Sequence, residues 1–318
     1  MRKTLPFIVC LIFLLIEGCA ISIPLREPVL PLKEKKVQGK GKYEILIIDI
    51  SGTITSDKRR ALIGPDDEPD SPVARIKEAL EKASKDKKIK AVILRINSPG
   101  GTVTACDIIY REIVKFKKNK NIFIAACLMD VAASGGYYIA NAADTIIAHP
   151  TTVTGSIGVI AMKFNFKGLM DKIGIEEESI MSGDKKDIFS YFRAMTEEER
   201  KIMQGIIDAL YGRFVEAIDE GRKNLTADEI KPLADGRVYT AQQALDNKLI
   251  DGIGYLDDVI NIAKKATGLA DARIVTYHRH TDYKNNIYSQ ATINIFSLGE
   301  NQLFGEYFPV RFMYLWNP

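Results

Sequence analysis

The chain is poor in the residues that mark a metalloprotein or a disulfide scaffold, with four cysteines and three histidines in 318 residues. Cys10 and Cys19 belong to the N-terminal segment. That leaves Cys106 and Cys127, which make no disulfide framework and read as small buried hydrophobes. His149, His278 and His280 show no ligand spacing with one another or with cysteine, so neither a metal nor a cofactor is expected. No repeat or low-complexity tract is present, which excludes solenoids and disordered arrays. Apolar runs are short. The longest, residues 5–16, is twelve residues, against the roughly 20 needed to cross a membrane. The net charge is only +3, and no basic domain is available to clamp nucleic acid.

What charge there is lies at one end. Residues 1–42 carry eight Lys or Arg against three acids, so the remainder is slightly acidic. "MRKT" followed by the apolar run has the layout of a secretory signal. The next residues, "IEGC" (16–19), resemble a bacterial lipobox, with Cys19 as the lipidated residue of the mature chain. An uncleaved signal anchor and a plain cleaved signal remain open beside it. In each case the body of the chain is exported, to the periplasmic or extracellular face of a bacterial cell membrane. The basic, Pro/Lys/Gly-rich stretch suits a tether near anionic lipid headgroups. The expected organisation is a signal at 1–18, a tether at 19–42, a folded domain at 43–270 and an apolar, aromatic extension at 271–318.

From residue 43 strands and helices alternate. Aliphatic runs at 43–52, 89–97 and 121–128 read as buried strands. Ser71 as N-cap and Pro72 as first residue open a helix over 71–86, and 104–118 is a second. A short helix follows at 134–142, with strands at 144–149 and 155–164, a helix at 167–173 and a strand at 175–181. The longest helix, 196–222, begins with a capping box formed by Thr196 and Glu199. Two more are expected at 240–249 and 255–266. The alternation predicts a largely parallel α/β core. The tail "PVRFMYLW" is too apolar for a solvated end. It is expected to dock on its own subunit or a neighbour, with a peptide groove as one candidate site.

Two glycine turns, each between a buried strand and a helix, carry chemistry. In "INSPGGTV" (96–103) bare backbone can approach a ligand, and the amides of Gly100 or Gly101 can hold an oxyanion. In "VAASGGYYIA" (131–140) Ser134 sits at a helix start, followed by the Gly135 amide as a second donor. Either turn alone reads equally as packing and capping. Together they describe an acyl-transfer site with Ser134 as nucleophile.

These turns, with "AASGGYYIANAAD", "TVTGSIGVI", "MSGDKKDIFSYFRAMTEEER" and "DGRVYTAQQALDNKLIDGIG" in that order, resemble the signal peptide peptidase A group, the serine-lysine peptidases of family S49. The resemblance covers about residues 43–266. It implies a ClpP/crotonase-like α/β fold of repeated strand-turn-helix units and a Ser-Lys dyad in place of a histidine base. Lys186 in "SGDKKDI" is the matching lysine; a shift of one would give Lys185. A lysine accepts a proton only if burial or a cationic neighbour lowers its pKa from about 10.4. The resemblance also implies that Ser156 orients the lysine, and that no cofactor is used. Its implied partners are hydrophobic peptides left in the membrane after signal cleavage, membrane lipid, and further copies in a ring-shaped homo-oligomer whose dyad forms within or between subunits. A crotonase-like acyl-CoA enzyme and a catalytically silent membrane scaffold are the rival readings.

Overall fold

The computed structural model describes residues 31–56, 71–279 and 313–316. Strands β1 (Lys33–Gln38), β2 (Glu44–Ser51), β3 (Ile89–Ser98), β5 (Phe123–Ala133), β6 (Thr145–Ala148), β9 (Gly252–Ile253) and β10 (Arg273–His278) lie in the order β1-β10-β2-β3-β5-β6-β9. Neighbours in this row run parallel, except that β1 is antiparallel on β10. β1 therefore gives part of the basic N-terminal stretch a place on the sheet.

The central strands are largely aliphatic because both faces are covered, with Asp49 of β2 and Arg95 of β3 paired at 2.5 Å between them. Leu46, Ile48, Val92, Leu94, Ile124 and Ala126 point into one core cluster, which also takes in buried residues of α1 (Pro72–Lys85), α2 (Val103–Lys120) and α3 (Gly135–Ala140). The alternate residues Ile45, Ile47, Ile93, Ala125 and Cys127 pack with the apolar face of α8 (Leu256–Ala266). Burial of each such Ile or Leu contributes roughly 1.5–3 kcal/mol. The Ser71 cap is present, accepting from the Ala74 amide at 3.3 Å.

β5 places the site. Its first half pairs with β6, from Ala125 opposite Thr145 to Leu128 opposite Ala148. Its second half runs past β6 and pairs with β7 (Val153–Gly155) instead. β8 (Val238–Thr240) closes the far side of β7. The end of β5 thus projects past β6, and the chain turns there into α3. The remaining helices are α4 (Lys167–Ile173), α5 (Glu197–Gly221), α6 (Ala227–Ile230) and α7 (Ala241–Asp246). α5 carries the expected capping box, with Thr196 and Glu199 exchanging hydrogen bonds of 2.8 and 3.2 Å.

Two expected strands are absent. The ladder that 155–164 was to continue ends at Gly155, because Gly155 and Ser156 both take positive φ (84° and 50°) and turn the chain. Residues 175–181 form no ladder and leave Ile175 and Ile180 exposed, the latter at 99%. Among the described residues no helix is long and apolar enough to cross a membrane. The signal at 1–18, Cys19 and most of the aromatic extension lie outside the described residues.

Candidate active site

Ser134 occupies the turn between β5 and α3 with φ 52° and ψ −117°, a region that costs a non-glycine residue about 1–3 kcal/mol. Its amide donates to the Gly155 carbonyl at 2.7 Å, and its carbonyl accepts from Tyr138 at 2.8 Å. The backbone is pinned on both sides, so the strain is held by its surroundings. The hydroxyl does not cap α3. Its Oγ is buried and has no hydrogen-bond partner, so capping does not explain the serine.

The glycine turn packs directly on this serine. Ser98 donates to the Gly52 carbonyl at 2.6 Å and accepts from the Gly100 amide at 3.1 Å, which fixes the turn. Gly100 has φ 103°, a conformation side chains rarely adopt. A Cβ on Gly135 would lie 2.3 Å from Cys106 Sγ, 3.1 Å from Gly100 Cα and 3.2 Å from the Gly101 nitrogen. That crowding brings the Gly101 and Gly135 amides to one place. On the other side Ala133 pairs with Gly155, so Ser134 and Ser156 are the next residues of two adjacent strands. Ser156 is buried. The structure therefore gathers Ser134, Ser156, Gly100, Gly101 and Gly135.

It does not bring Lys186 to them. Lys186 lies exposed in the turn at 182–189, where its amide donates to the Gly183 carbonyl at 3.1 Å. Lys185 is ion-paired with Glu198 at 2.7 Å and Asp184 at 3.2 Å. Those hydrogen bonds raise its pKa, the wrong direction for a base. Because Ser134 Oγ has no partner, neither lysine meets it within one chain.

The lysine turn has an anchor that the sequence reading missed. Arg193 bridges Asp187 at 2.6 Å and Glu199 at 2.5 Å. Glu199 is also the capping residue of α5, so the bridge ties the turn to the start of the longest helix. The signal was available as an acid, an arginine and an acid at intervals of six. Also unread was the aromatic wall beside the serine. Tyr138 of α3 lies 5.1 Å from Tyr110 of α2 and 5.1 Å from Phe214 of α5. Its hydroxyl donates to Asp107 at 2.6 Å, which Arg213 also contacts at 3.1 Å.

Cys106 and Cys127 are free and buried, and burial pushes the Cys127 thiol up to about 12. Neither is a reactive thiolate. One carboxylate group among the described residues, Glu34, Glu44 and Asp86, has ligand atoms within 4.8 Å of one another. It lies by the start of β2, at the opposite end of the parallel sheet from Ser134, and Glu44 is already bridged by Arg273.

The sequence profile of Peptidase family S49 matches residues 116–270. Over 228 residues the chain is 38% identical to a putative protease of Synechocystis, covering 72% of this chain and 76% of that protein. The chain belongs to peptidase family S49. This S49 member is also 41% identical over 202 residues to a putative signal peptide peptidase SppA of Enterococcus faecium, covering 64% of this chain and 58% of that one. It is 35% identical over 239 residues to a chloroplastic serine protease SPPA of Arabidopsis thaliana, 74% of this chain but 34% of the relative. The chain thus spans less than two thirds of some relatives' length. A membrane-bound stomatin-specific protease solved with a substrate peptide overlays at a TM-score of 0.45 and 17% identity, covering 70% of this chain and 80% of that one. S49 membership and the parallel strand-turn-helix sheet bear out the ClpP/crotonase-like α/β class.

Proposed function

We propose that this S49 member is a membrane-associated serine endopeptidase that degrades hydrophobic peptides, including cleaved signal peptides, through a Ser134–Lys186 dyad. The observation that carries the reading is the Ser134 hydroxyl, held in a strained turn, buried and without a partner. Strain and an unsatisfied hydroxyl are together costly, and active sites are where such costs persist. A neutral lysine takes the proton from Ser134, and Oγ attacks the peptide carbonyl. The Gly100 amide is engaged by Ser98, which leaves the amides of Gly101 and Gly135 to hold the oxyanion. The charged lysine then protonates the leaving amine, and water releases the acyl group. Ser156, the residue after β7 and a neighbour of Ser134, orients the lysine.

The lysine comes from a neighbouring copy in a ring-like homo-oligomer. The segment around Lys186 belongs to an arm that exposes Met162, Phe164, Leu169, Ile173, Ile175 and Ile180. An apolar surface of that kind is covered in an assembly. Export and a lipid or signal anchor, as read from residues 1–19, would hold the ring at the membrane. The silent-scaffold reading has one observation in its favour, the exposure of Lys186 in a single chain. Hydrolysis of a fluorogenic hydrophobic peptide by the full chain separates the two. Activity abolished by Ser134→Ala supports the peptidase; an inert parent in its assembled state supports the scaffold.

A further inference from the structure

Beside Ser134 the short strand β4 (Gly100–Thr102) pairs antiparallel with β11 (Met313–Leu315), Tyr314 opposite Gly101. The opposite end of the parallel sheet has a chemistry of its own. There Glu34 of β1, Glu44 at the start of β2 and Asp86 between α1 and β3 hold carboxylate oxygens within 4.8 Å of one another. Three separate parts of the chain thus bring like charges together, which disfavours the charged forms unless positive charge sits among them.

That positive charge is only partly supplied. Arg273 of β10 bridges Glu44 through Oε1, while Glu44 Oε2 is buried and has no hydrogen-bond partner. Asp86 Oδ1 accepts from the Lys88 amide at 2.8 Å. Two nearby lysines turn elsewhere. Lys82 Nζ lies over the Tyr277 ring at 5.2 Å, and Lys120 Nζ donates to the Ala83 and Asp86 carbonyls at 2.7 and 2.6 Å. Three carboxylates against one paired guanidinium leave two negative charges. Loss of water around its carboxyl, then Glu44 and Asp86, raise the Glu34 pKa, against the smaller pull of Arg273 and Lys88.

Tyr277 is an independent pointer. In β10 it stands directly opposite Glu34 of β1, so the two side chains share a face. The residue is 8% exposed and its hydroxyl has no partner. Burial first, then the charges of Glu34, Asp86 and Glu44, push its pKa up. A buried neutral hydroxyl with acceptor lone pairs to spare thus faces the same three carboxylates.

We infer that these four residues form a calcium site that clips the edge strand β1 to the body of the sheet. Every donor is an oxygen, which selects a hard cation, and the two uncompensated charges match a divalent one. Opposed ligands stand about 4.6–5.2 Å apart around Ca²⁺ and about 4.0–4.2 Å around Mg²⁺, so separations of up to 4.8 Å suit the larger ion. Glu34 is exposed, which lets water complete the roughly six to eight ligands that calcium takes. Glu34 comes from the basic N-terminal stretch and the other three from the folded body, so the ion ties one to the other. With few protein ligands and an arginine among them, the affinity is modest, with Kd about 0.1–1 mM.

The test titrates CaCl₂ into the chelator-treated full chain by calorimetry, beside MgCl₂ and NaCl at matched ionic strength, for the parent, Glu34→Gln and Asp86→Asn. Glu34→Gln alters an exposed side chain, and Asp86→Asn retains an acceptor for the Lys88 amide. The expected result is one saturable calcium site, weakened by about tenfold or more in each variant, with hydrogen exchange across 33–38 slower in calcium than in chelator. In chelator Glu34→Gln should melt at or above the parent, because a like charge is gone; with calcium the order should reverse. No calcium binding beyond the NaCl control, or equal binding by the parent and both variants, overturns the site. Magnesium bound as tightly as calcium overturns the assignment of the ion.

Discussion

The amide of Ser134 donates to the carbonyl of Gly155 at 2.7 Å, so the strand end that carries the nucleophile is locked to the strand end that leads into Ser156. This one bond explains why two serines 22 positions apart, both at positive φ, arrive side by side. It also shows where one side of the strain at Ser134 is balanced, in the β5–β7 ladder, the Tyr138 amide of α3 holding the other.

Glycine has no Cβ to strain at φ 52°. Ser134→Gly should therefore raise the melting temperature while abolishing hydrolysis, with a gain of about 1 kcal/mol once the greater backbone entropy of glycine is set against the relieved strain. Ser134→Ala should lose activity by about 10⁴-fold or more and gain only what removal of the unpartnered hydroxyl gives, so Ser134→Gly, which also relieves the backbone, should melt higher than Ser134→Ala. Thermal unfolding of both variants beside the parent checks the contrast; equal melting temperatures for all three would mean that the turn stores no strain.

A Cβ added at Gly135 would lie 2.3 Å from Cys106 Sγ. Gly135→Ala should cost about 1–3 kcal/mol of stability from overpacking and should displace the oxyanion amides. Adding Cys106→Ala removes the closest obstacle, so the double variant should recover part of the loss. A double-mutant cycle by denaturant unfolding measures the coupling. Simple additivity would place the cost elsewhere, in the contacts with Gly100 and Gly101.

The bridge from Arg193 holds Glu199 down to about 2 from 4.5, and Asp187 is lowered by the same arginine. Both acids bind the fold as carboxylates, so their contribution is complete above pH about 4.5 and is lost as pH falls through about 2. Hydrogen exchange across 182–199 should accelerate in that window, ahead of the sheet. Glu199→Gln should show the faster exchange already at neutral pH and lower activity, since the turn carrying Lys186 loses its anchor.

The strands 43–52, 89–97 and 121–128 were legible because burial on both faces demands unbroken aliphatic runs, and the long helix because its capping box is local. The expected strands at 155–164 and 175–181 failed for one reason. Apolar residues there face something other than a ladder: Ile160 pairs with the tail, and Ile175 and Ile180 face outward. Periodicity cannot tell a side chain buried in its own sheet from one offered to another segment. Ser134, Ser156 and the glycines were legible from their turns, since a turn's chemistry is local. Tyr314 meets Phe214 and Tyr138 from 100 and 176 positions away, so the sequence marked the tail as a docking segment without locating its place.

The central claim is a site completed by a neighbouring copy, and mixing two inactive variants tests it most directly. Ser134→Ala and Lys186→Ala, each expected to be inert alone, are co-expressed so that both enter the same assemblies, verified by native mass measurement. Sites pairing Ser134 of one copy with Lys186 of another should then restore hydrolysis, to about a quarter of the parental level in a random equimolar ring. No recovery in assemblies that contain both variants would contradict a dyad shared between subunits.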